Sequence, residues 1–261
     1  LLYTTLAFIL LGSFSFAQEK EKDEAKKKEK KNKNLPIKAD RFFELNTDSG
    51  TWISLDVSPD GSTVVFDMLG DIYSMPINGG EAKRITKGMA YDSQPRFSPD
   101  WNSIVYTSDK SGNVTVWTRD LETNDSLQLT KGKDNQTAFA DWSKDGDYII
   151  ASTGFRNLKL HMYHKEGGSG VQLVGEPSSL KIVQPAVSHG DRYIWYAERR
   201  NSWQYNASFP QYQISKYDRE TGETKRETSR FGSAFTPTLS PNGKWLVYGT
   251  RYEDKTCLLY T

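Results

Sequence analysis

Cysteine, histidine and long apolar runs are scarce in this 261-residue chain. A single cysteine, Cys257, excludes an intrachain disulfide framework and any cluster of thiolate ligands. Three histidines leave little material for a metal centre. The apolar run from Leu6 to Phe16 is well short of the ~20 residues a membrane-spanning helix needs, so no transmembrane anchor is expected. Charge of one sign is also lacking, because 34 Lys and Arg face 33 Asp and Glu for a net +1. Residues 19–34 hold 8 Lys against 5 acids (+3), which leaves 26 basic and 28 acidic residues (−2) for the rest. A slightly acidic remainder has no electrostatic footprint for nucleic acid. Aromatic residues, by contrast, are plentiful: 7 Trp, 14 Tyr and 12 Phe can build a large core, a profile that suits many short strands.

The two ends of the chain read as pieces of something longer. There is no initial Met, and the sequence stops at Tyr260-Thr261 inside a strand-like pattern. Leu6 to Phe16 followed by Ser15-Phe16-Ala17 has the apolar core and small-residue cleavage site of a secretory signal peptide, assigned here to residues 1–17. Export to the periplasm or the extracellular space follows as an expectation. Residues 19–34 interleave Lys with acids and contain one Ala and no larger apolar side chain, so nothing there offsets the entropy of ordering; a solvated tether is expected over residues 18–40.

From residue 41 onward one short pattern recurs. It reads Val57-Ser58-Pro59-Asp60-Gly61, Phe97-Ser98-Pro99-Asp100-Trp101, Trp142-Ser143-Lys144-Asp145-Gly146, Val187-Ser188-His189-Gly190-Asp191 and Leu239-Ser240-Pro241-Asn242-Gly243. A period of 40 to 52 residues is that of a four-stranded propeller blade. Within a unit, apolar and polar residues alternate before the turn, Pro fixes φ, Asp bonds nearby N–H groups and Gly accepts φ > 0. Strands are expected at 63–68, 71–75 and 82–86 in the first unit, then at 104–108, 114–118 and 127–130 in the second. The third unit runs from Phe139 to Val174, the fourth from Val183 to Thr228, and the fifth begins near Phe235 and ends after its third strand. The fold class expected for residues 41–261 is therefore an all-β propeller of four-stranded antiparallel blades, incomplete, with about five blades and the last truncated. Residues 41–47 read as an extra strand that would complete a closing blade.

These turns, with Ile85-Thr86 and Leu129-Thr130 closing blades, resemble the TolB-like repeat, a relative of the WD-repeat blade. Longer stretches, among them Gly50 to Gly61, Phe66 to Tyr73, Asp92 to Asp100, His164 to Leu173 and Phe209 to Gln213, are similar to secreted bacterial proteins in which a TolB-like domain precedes an amidohydrolase domain. The resemblance implies a metal-dependent hydrolase downstream on a (β/α)₈ barrel, with a divalent metal, zinc, activating water against a carbon–nitrogen bond. It implies as partners that catalytic domain of the same chain and a peptide or small amide substrate. No catalytic, cofactor or metal residue can be placed on this chain. Two other roles stay open for such a propeller: a TolB-type interaction module in the envelope, or the propeller of an exported serine peptidase of the tricorn or prolyl-oligopeptidase type.

Several residues invite sharper readings. His161 and His164 lie three apart on an expected strand, so their side chains leave opposite faces and do not chelate one ion. Gly167-Gly168-Ser169-Gly170 lacks the final glycine of a nucleophile elbow, since position 171 is Val171, and reads as a hairpin turn. Asp60, Asp100 and Asp145 recur once per unit and belong to turns. One segment breaks the blade pattern, Arg199 to Gln211, and it carries Arg199, Arg200, Trp203, Tyr205 and Phe209 on an expected loop. Long aromatic loops on propeller faces meet partners, so these five residues are the candidate interaction site.

Overall fold

The computed structural model describes residues 44–51, 53–132, 136–199, 211–229, 232–252 and 255–260. The chain divides into residues 1–47 and 48–261, and every strand lies in the second part. Of the first part only 44–47 are described, and they belong to no sheet; residues 41–43 of the extra strand expected at 41–47 lie outside the described residues. Alternating apolar residues make a strand only where a second strand offers its ladder.

The described residues form 19 strands and no helix. The first sheet contains β1 (Leu55–Val57), β2 (Thr63–Met68), β3 (Asp71–Pro76) and β4 (Lys83–Arg84), and the second β5 (Asp92–Phe97), β6 (Ser103–Ser108), β7 (Thr115–Asp120) and β8 (Ser126–Gln128). The third has β9 (Gln136–Trp142), β10 (Tyr148–Gly154), β11 (Lys159–His164) and β12 (Val171–Val174), and the fourth β13 (Lys181–Val187), β14 (Tyr193–Arg199), β15 (Gln213–Asp218) and β16 (Thr224–Arg226). The fifth holds three strands, β17 (Ser233–Leu239), β18 (Leu246–Tyr252) and β19 (Lys255–Tyr260). All pairs are antiparallel and follow chain order, so each sheet is one blade of an incomplete propeller.

Core residues explain why the blades stack. Ile149 and Ile150 are adjacent on β10 and point to opposite faces. Ile149 packs with Val105, Val116 and Leu129 of the second blade, whereas Ile150 packs with Leu180, Ile182 and Tyr196 of the fourth. Each fully buried Ile contributes about 1.5–3 kcal/mol, so a middle blade draws stability from both neighbours.

Two polar devices repeat along the stack. At the end of the outer strand in the first, second and fourth blades a buried Thr hydroxyl accepts a backbone N–H from the third strand: Thr86 from Ile72 (2.9 Å), Thr130 from Val116 (2.9 Å) and Thr228 from Ile214 (2.8 Å). This hydroxyl replaces a carbonyl of the ladder, which is why β4 stops at Arg84, two residues before the boundary expected from sequence. Each inner strand from β5 onward also carries a bulge, with Gln94, Phe139, Gln184 and Thr236 at φ of 57°, 70°, 56° and 54°. A bulged N–H leaves the ladder and needs another acceptor. Asp67 Oδ2 takes that of Gln94 (2.7 Å), Gln94 Oε1 that of Phe139 (2.9 Å) and Gln184 Oε1 that of Thr236 (2.8 Å). In these three the acceptor comes from the preceding blade, so the bulges tie blade to blade.

Candidate functional site

Antiparallel blades present two ends with different contents. One end gathers the turns from first to second strand and from third to fourth. The other gathers the hairpins from second to third strand and the connections that lead to the next blade.

At the first end the recurring serine and acid are consumed by the turn itself. Ser58, Ser98 and Ser143 each donate to the carboxylate two residues on, at 2.5 Å, and Ser240 donates to Asn242 at 2.7 Å. Each serine oxygen in turn accepts the N–H five residues on, from Thr63, Ser103, Tyr148 and Trp245 at 2.9–3.0 Å. The serine hydroxyl holds the Asp60 and Asp100 carboxyls below the ordinary value. Asp145 is lowered as well, its hydrogen bonds from Ser143 and Asp147 overcoming burial. Asp60, Asp100 and Asp145 thus each serve their own turn. In the fourth blade Ser188 still accepts from Tyr193 (2.9 Å), but the acid comes one residue later. There Asp191 reaches back to the third blade and accepts the N–H groups of Lys144 (2.6 Å) and Asp145 (2.9 Å).

The second end carries the candidate interaction residues. Arg199, expected on the loop, is the last residue of β14, paired opposite Lys181, and is buried. Its Nη2 donates to Asn157 Oδ1 at 3.3 Å. Arg200, Trp203, Tyr205 and Phe209 lie outside the described residues. Around Arg199 stand side chains that the sequence motifs did not single out. Lys159 Nζ donates to the carbonyls of Pro177 (2.9 Å), Ser178 (3.1 Å) and Leu180 (2.7 Å), and burial lowers its pKa against the opposing pull of Glu176. Burial lowers the pKa of Lys181 too, and the Arg199 charge adds to that. Burial raises the Tyr212 phenol, with Arg199 acting in the other direction. Phe155 is exposed beside them, with the Arg156 guanidinium 5.1 Å from its ring centre. Lys181 and Arg199 are far apart in sequence and enter no motif; only the strand register brings them together.

The histidines are occupied separately. His161 Nδ1 bonds Thr153 Oγ1 (2.9 Å) and its ring stacks on Tyr163, whereas His164 packs edge-on to Tyr148 across the β10–β11 pair and accepts the Glu166 N–H at 3.2 Å. Among the described residues no three His, Cys, Asp or Glu side chains gather as a metal site. The glycines at 167, 168 and 170 all take positive φ in the β11–β12 turn, and a Cβ at Gly170 would lie 2.4 Å from the Tyr163 ring. Cys257 lies on β19 opposite Thr250. No helix among the described residues is long and apolar enough to cross a membrane.

Comparison with known proteins agrees with this architecture. TolB from Acinetobacter baumannii superposes with a TM-score of 0.64 at 25% identity, over 80% of this chain and 51% of that one. The tricorn protease superposes at 0.54 with 14% identity, over 84% of this chain but 22% of that one, a likeness of fold alone. In sequence, TolB of Bordetella pertussis is 37% identical over 59 residues, 22% of this chain and 14% of the relative. Tricorn protease homolog 1 of Streptomyces coelicolor is 30% identical over 95 residues, 36% of this chain and 9% of the relative. The chain spans about a third or less of the length of the curated relatives it matches. The family model described as the TolB beta propeller domain matches residues 37–205, more than half of the sequence, and with the blades traced above the chain belongs to the TolB β-propeller domain family.

Proposed function

We propose that this chain is the non-catalytic propeller module of a longer, exported hydrolase of the amidohydrolase type, in which it positions or gates a peptide or small amide for a barrel domain downstream. The observation that carries the reading is the division of labour between the two ends. The serines and acids that could have formed a catalytic constellation are used up in turn bonds at one end. The other end gathers cations and exposed aromatic surface that the repeat does not require. A propeller of this fold also forms a minor part of a much longer chain in the tricorn protease superposition, as the 22% coverage records. The metal that such a hydrolase uses would be held by the barrel; this module would contribute the entrance, through Arg199, Arg200, Trp203, Tyr205 and Phe209. The apolar run and cleavage pattern of residues 1–17 support export.

A second reading, a TolB-type interaction propeller in the envelope, is favoured by the identity to TolB segments. Reading the gene onward from codon 261 separates the two. A His-x-His pattern at the end of a barrel strand supports the hydrolase, and an early stop supports the interaction module. A Gly-x-Ser-x-Gly elbow would assign the chain to a serine peptidase. In the longer protein Trp203→Ala and Phe209→Ala should raise KM for a dipeptide or N-acyl amino acid with kcat little changed. Unchanged kinetics together with unchanged domain association would remove the gating role.

A further inference from the structure

The hairpin between β2 and β3 is made of two residues, Leu69 and Gly70, both at positive φ (54° and 85°). Such turns favour Asn-Gly, because a bulky side chain is disfavoured in the left-handed backbone. Leu69 is nevertheless 71% exposed, so packing does not explain its presence. Beside it runs the connection from the first blade to the second, where Met89 (63%) and Tyr91 (62%) are exposed as well. A Cβ on Gly70 would come 3.1 Å from Tyr91 Cδ2, which sets the tyrosine ring against the turn, and the Asp92 N–H donates to the Gly70 carbonyl at 2.9 Å. The Tyr91 N–H donates to Asp109 Oδ1 (2.7 Å), so the hairpin of the second blade, 109–114, adjoins them. Phe155 stands exposed on the corresponding hairpin of the third blade, at the same end of the stack.

Charge divides between the two ends of these blades. At the serine-turn end the loops 58–62, 77–82, 98–102, 121–125, 143–147 and 165–170 hold eight acidic residues against Lys144 and Lys165. At the end that carries Leu69, the loops 69–70, 85–91, 109–114 and 155–158 hold exposed Lys87, Lys110 and Arg156 against Asp109, whose carboxylate is engaged by the Tyr91 amide. Lys110 and Arg156 lie 5.4 and 5.1 Å from the ring centres of Trp117 and Phe155, so cation and aromatic surface alternate there. Apolar side chains at the tips of separate loops, interleaved with cations, suit an anionic interface into which each tip can sink on its own. We propose that this rim of the first three blades is a peripheral binding surface for anionic phospholipid. Leu69, Met89, Tyr91 and Phe155 enter the boundary between headgroups and acyl chains, and Lys87, Lys110 and Arg156 meet the phosphates. The acidic opposite end is repelled by the same surface, so the field orients the molecule. The proposal is independent of the hydrolase reading, whose entrance residues belong to the fourth blade.

Flotation of the full chain with vesicles tests this, using phosphatidylcholine alone or an equal mixture of phosphatidylcholine and phosphatidylglycerol. Binding to the anionic vesicles should be stronger by about tenfold or more and should weaken as salt is added. Leu69→Asn suits the turn better than the native residue, so its thermal midpoint should stay level or rise while affinity for the anionic vesicles falls about fivefold. That combination separates lost binding from lost folding. Residues 6–16 and 19–34 can also meet lipid, so a positional readout isolates the rim. In a Cys257→Ser background, an environment-sensitive fluorophore on Met89→Cys should shift to the blue on anionic vesicles, and one on Ile77→Cys, at the acidic end, should not. Equal binding to both vesicle types, unchanged affinity in Leu69→Asn, or equal shifts at the two labels would each overturn the proposal. Self-association in place of lipid binding, abolished by Leu69→Asn, would assign the rim to a second copy of the chain and overturn the lipid assignment.

Discussion

Replacing Asp191 separates two terms that the fourth turn combines. Its carboxylate accepts two backbone N–H groups from the preceding blade, at 2.6 and 2.9 Å, and its own backbone sits at φ 60°, where Gly61, Gly146 and Gly243 occupy the equivalent place in other blades. A hydrogen bond to a charged group is worth about 1.5–3 kcal/mol when shielded; these two are exposed, so about 1 kcal/mol each is the reasonable figure. Placing a Cβ in the left-handed region costs roughly 1–2 kcal/mol, least for Asp and Asn. The Arg219 guanidinium, 3.8 Å away, adds little, and its bond to the Asp191 carbonyl (3.0 Å) survives any side-chain change. Asp191→Ala loses the bonds and keeps the strain, for a loss of about 2 kcal/mol on these terms. Asp191→Gly loses the bonds but relieves the backbone, for a loss of about 1 kcal/mol. Urea denaturation followed by the fluorescence of buried Trp142 reports the stability, and hydrogen exchange at the Lys144 and Asp145 amides reports the clamp itself. If the Ala and Gly variants proved equally stable, or if exchange at Lys144 and Asp145 were unchanged, the account of this turn as an inter-blade clamp would be wrong.

Asp67→Ala should destabilise by about 3–4 kcal/mol, because it strands the Ser54 and Gln94 amides, which the carboxylate now accepts at 2.9 and 2.7 Å; both should lose exchange protection. Thr130→Val keeps the shape of a buried side chain but leaves the Val116 N–H without its acceptor, so a loss of about 1–3 kcal/mol in urea midpoint analysis is expected. Burial raises the Asp56 carboxyl against the opposing Arg96, so the folded state holds that proton more tightly than the unfolded chain does. The ionised form is therefore the penalised one: Asp56→Asn, which can still accept the Phe97 N–H, should melt above the wild type at pH 7, and the gap should close as pH falls below 3.8. A gap independent of pH would refute the assignment.

Where the chain solves a local problem locally, the solution was legible in the sequence. Ser, Pro, Asp and Gly at fixed offsets specify a turn through side-chain bonds that span two to five residues, and the strands on either side followed within a residue or two. The bulges were not legible. Phe139 and Thr236 take a left-handed backbone that their side chains disfavour, and the acceptors that hold them, Gln94 and Gln184, lie 45 and 52 residues earlier. No local pattern encodes a bond of that range. His189-Gly190-Asp191 illustrates the boundary: its turn chemistry was readable, but the reach of Asp191 across 46 and 47 residues to the previous blade was not. The candidate site shares the difficulty, because Lys181 and Arg199 meet only once the register of β13 on β14 is known.

The repeat also separates residues needed for folding from residues available for function. A side chain that recurs from blade to blade, such as Ser58, Ser98, Ser143 and Ser240 or, in three of the blades, Thr86, Thr130 and Thr228, makes the same bond each time, so its role is discharged within the fold. A residue that departs from its counterparts owes the departure to something else. Asp191 departs, and its new bond to the neighbouring blade accounts for it.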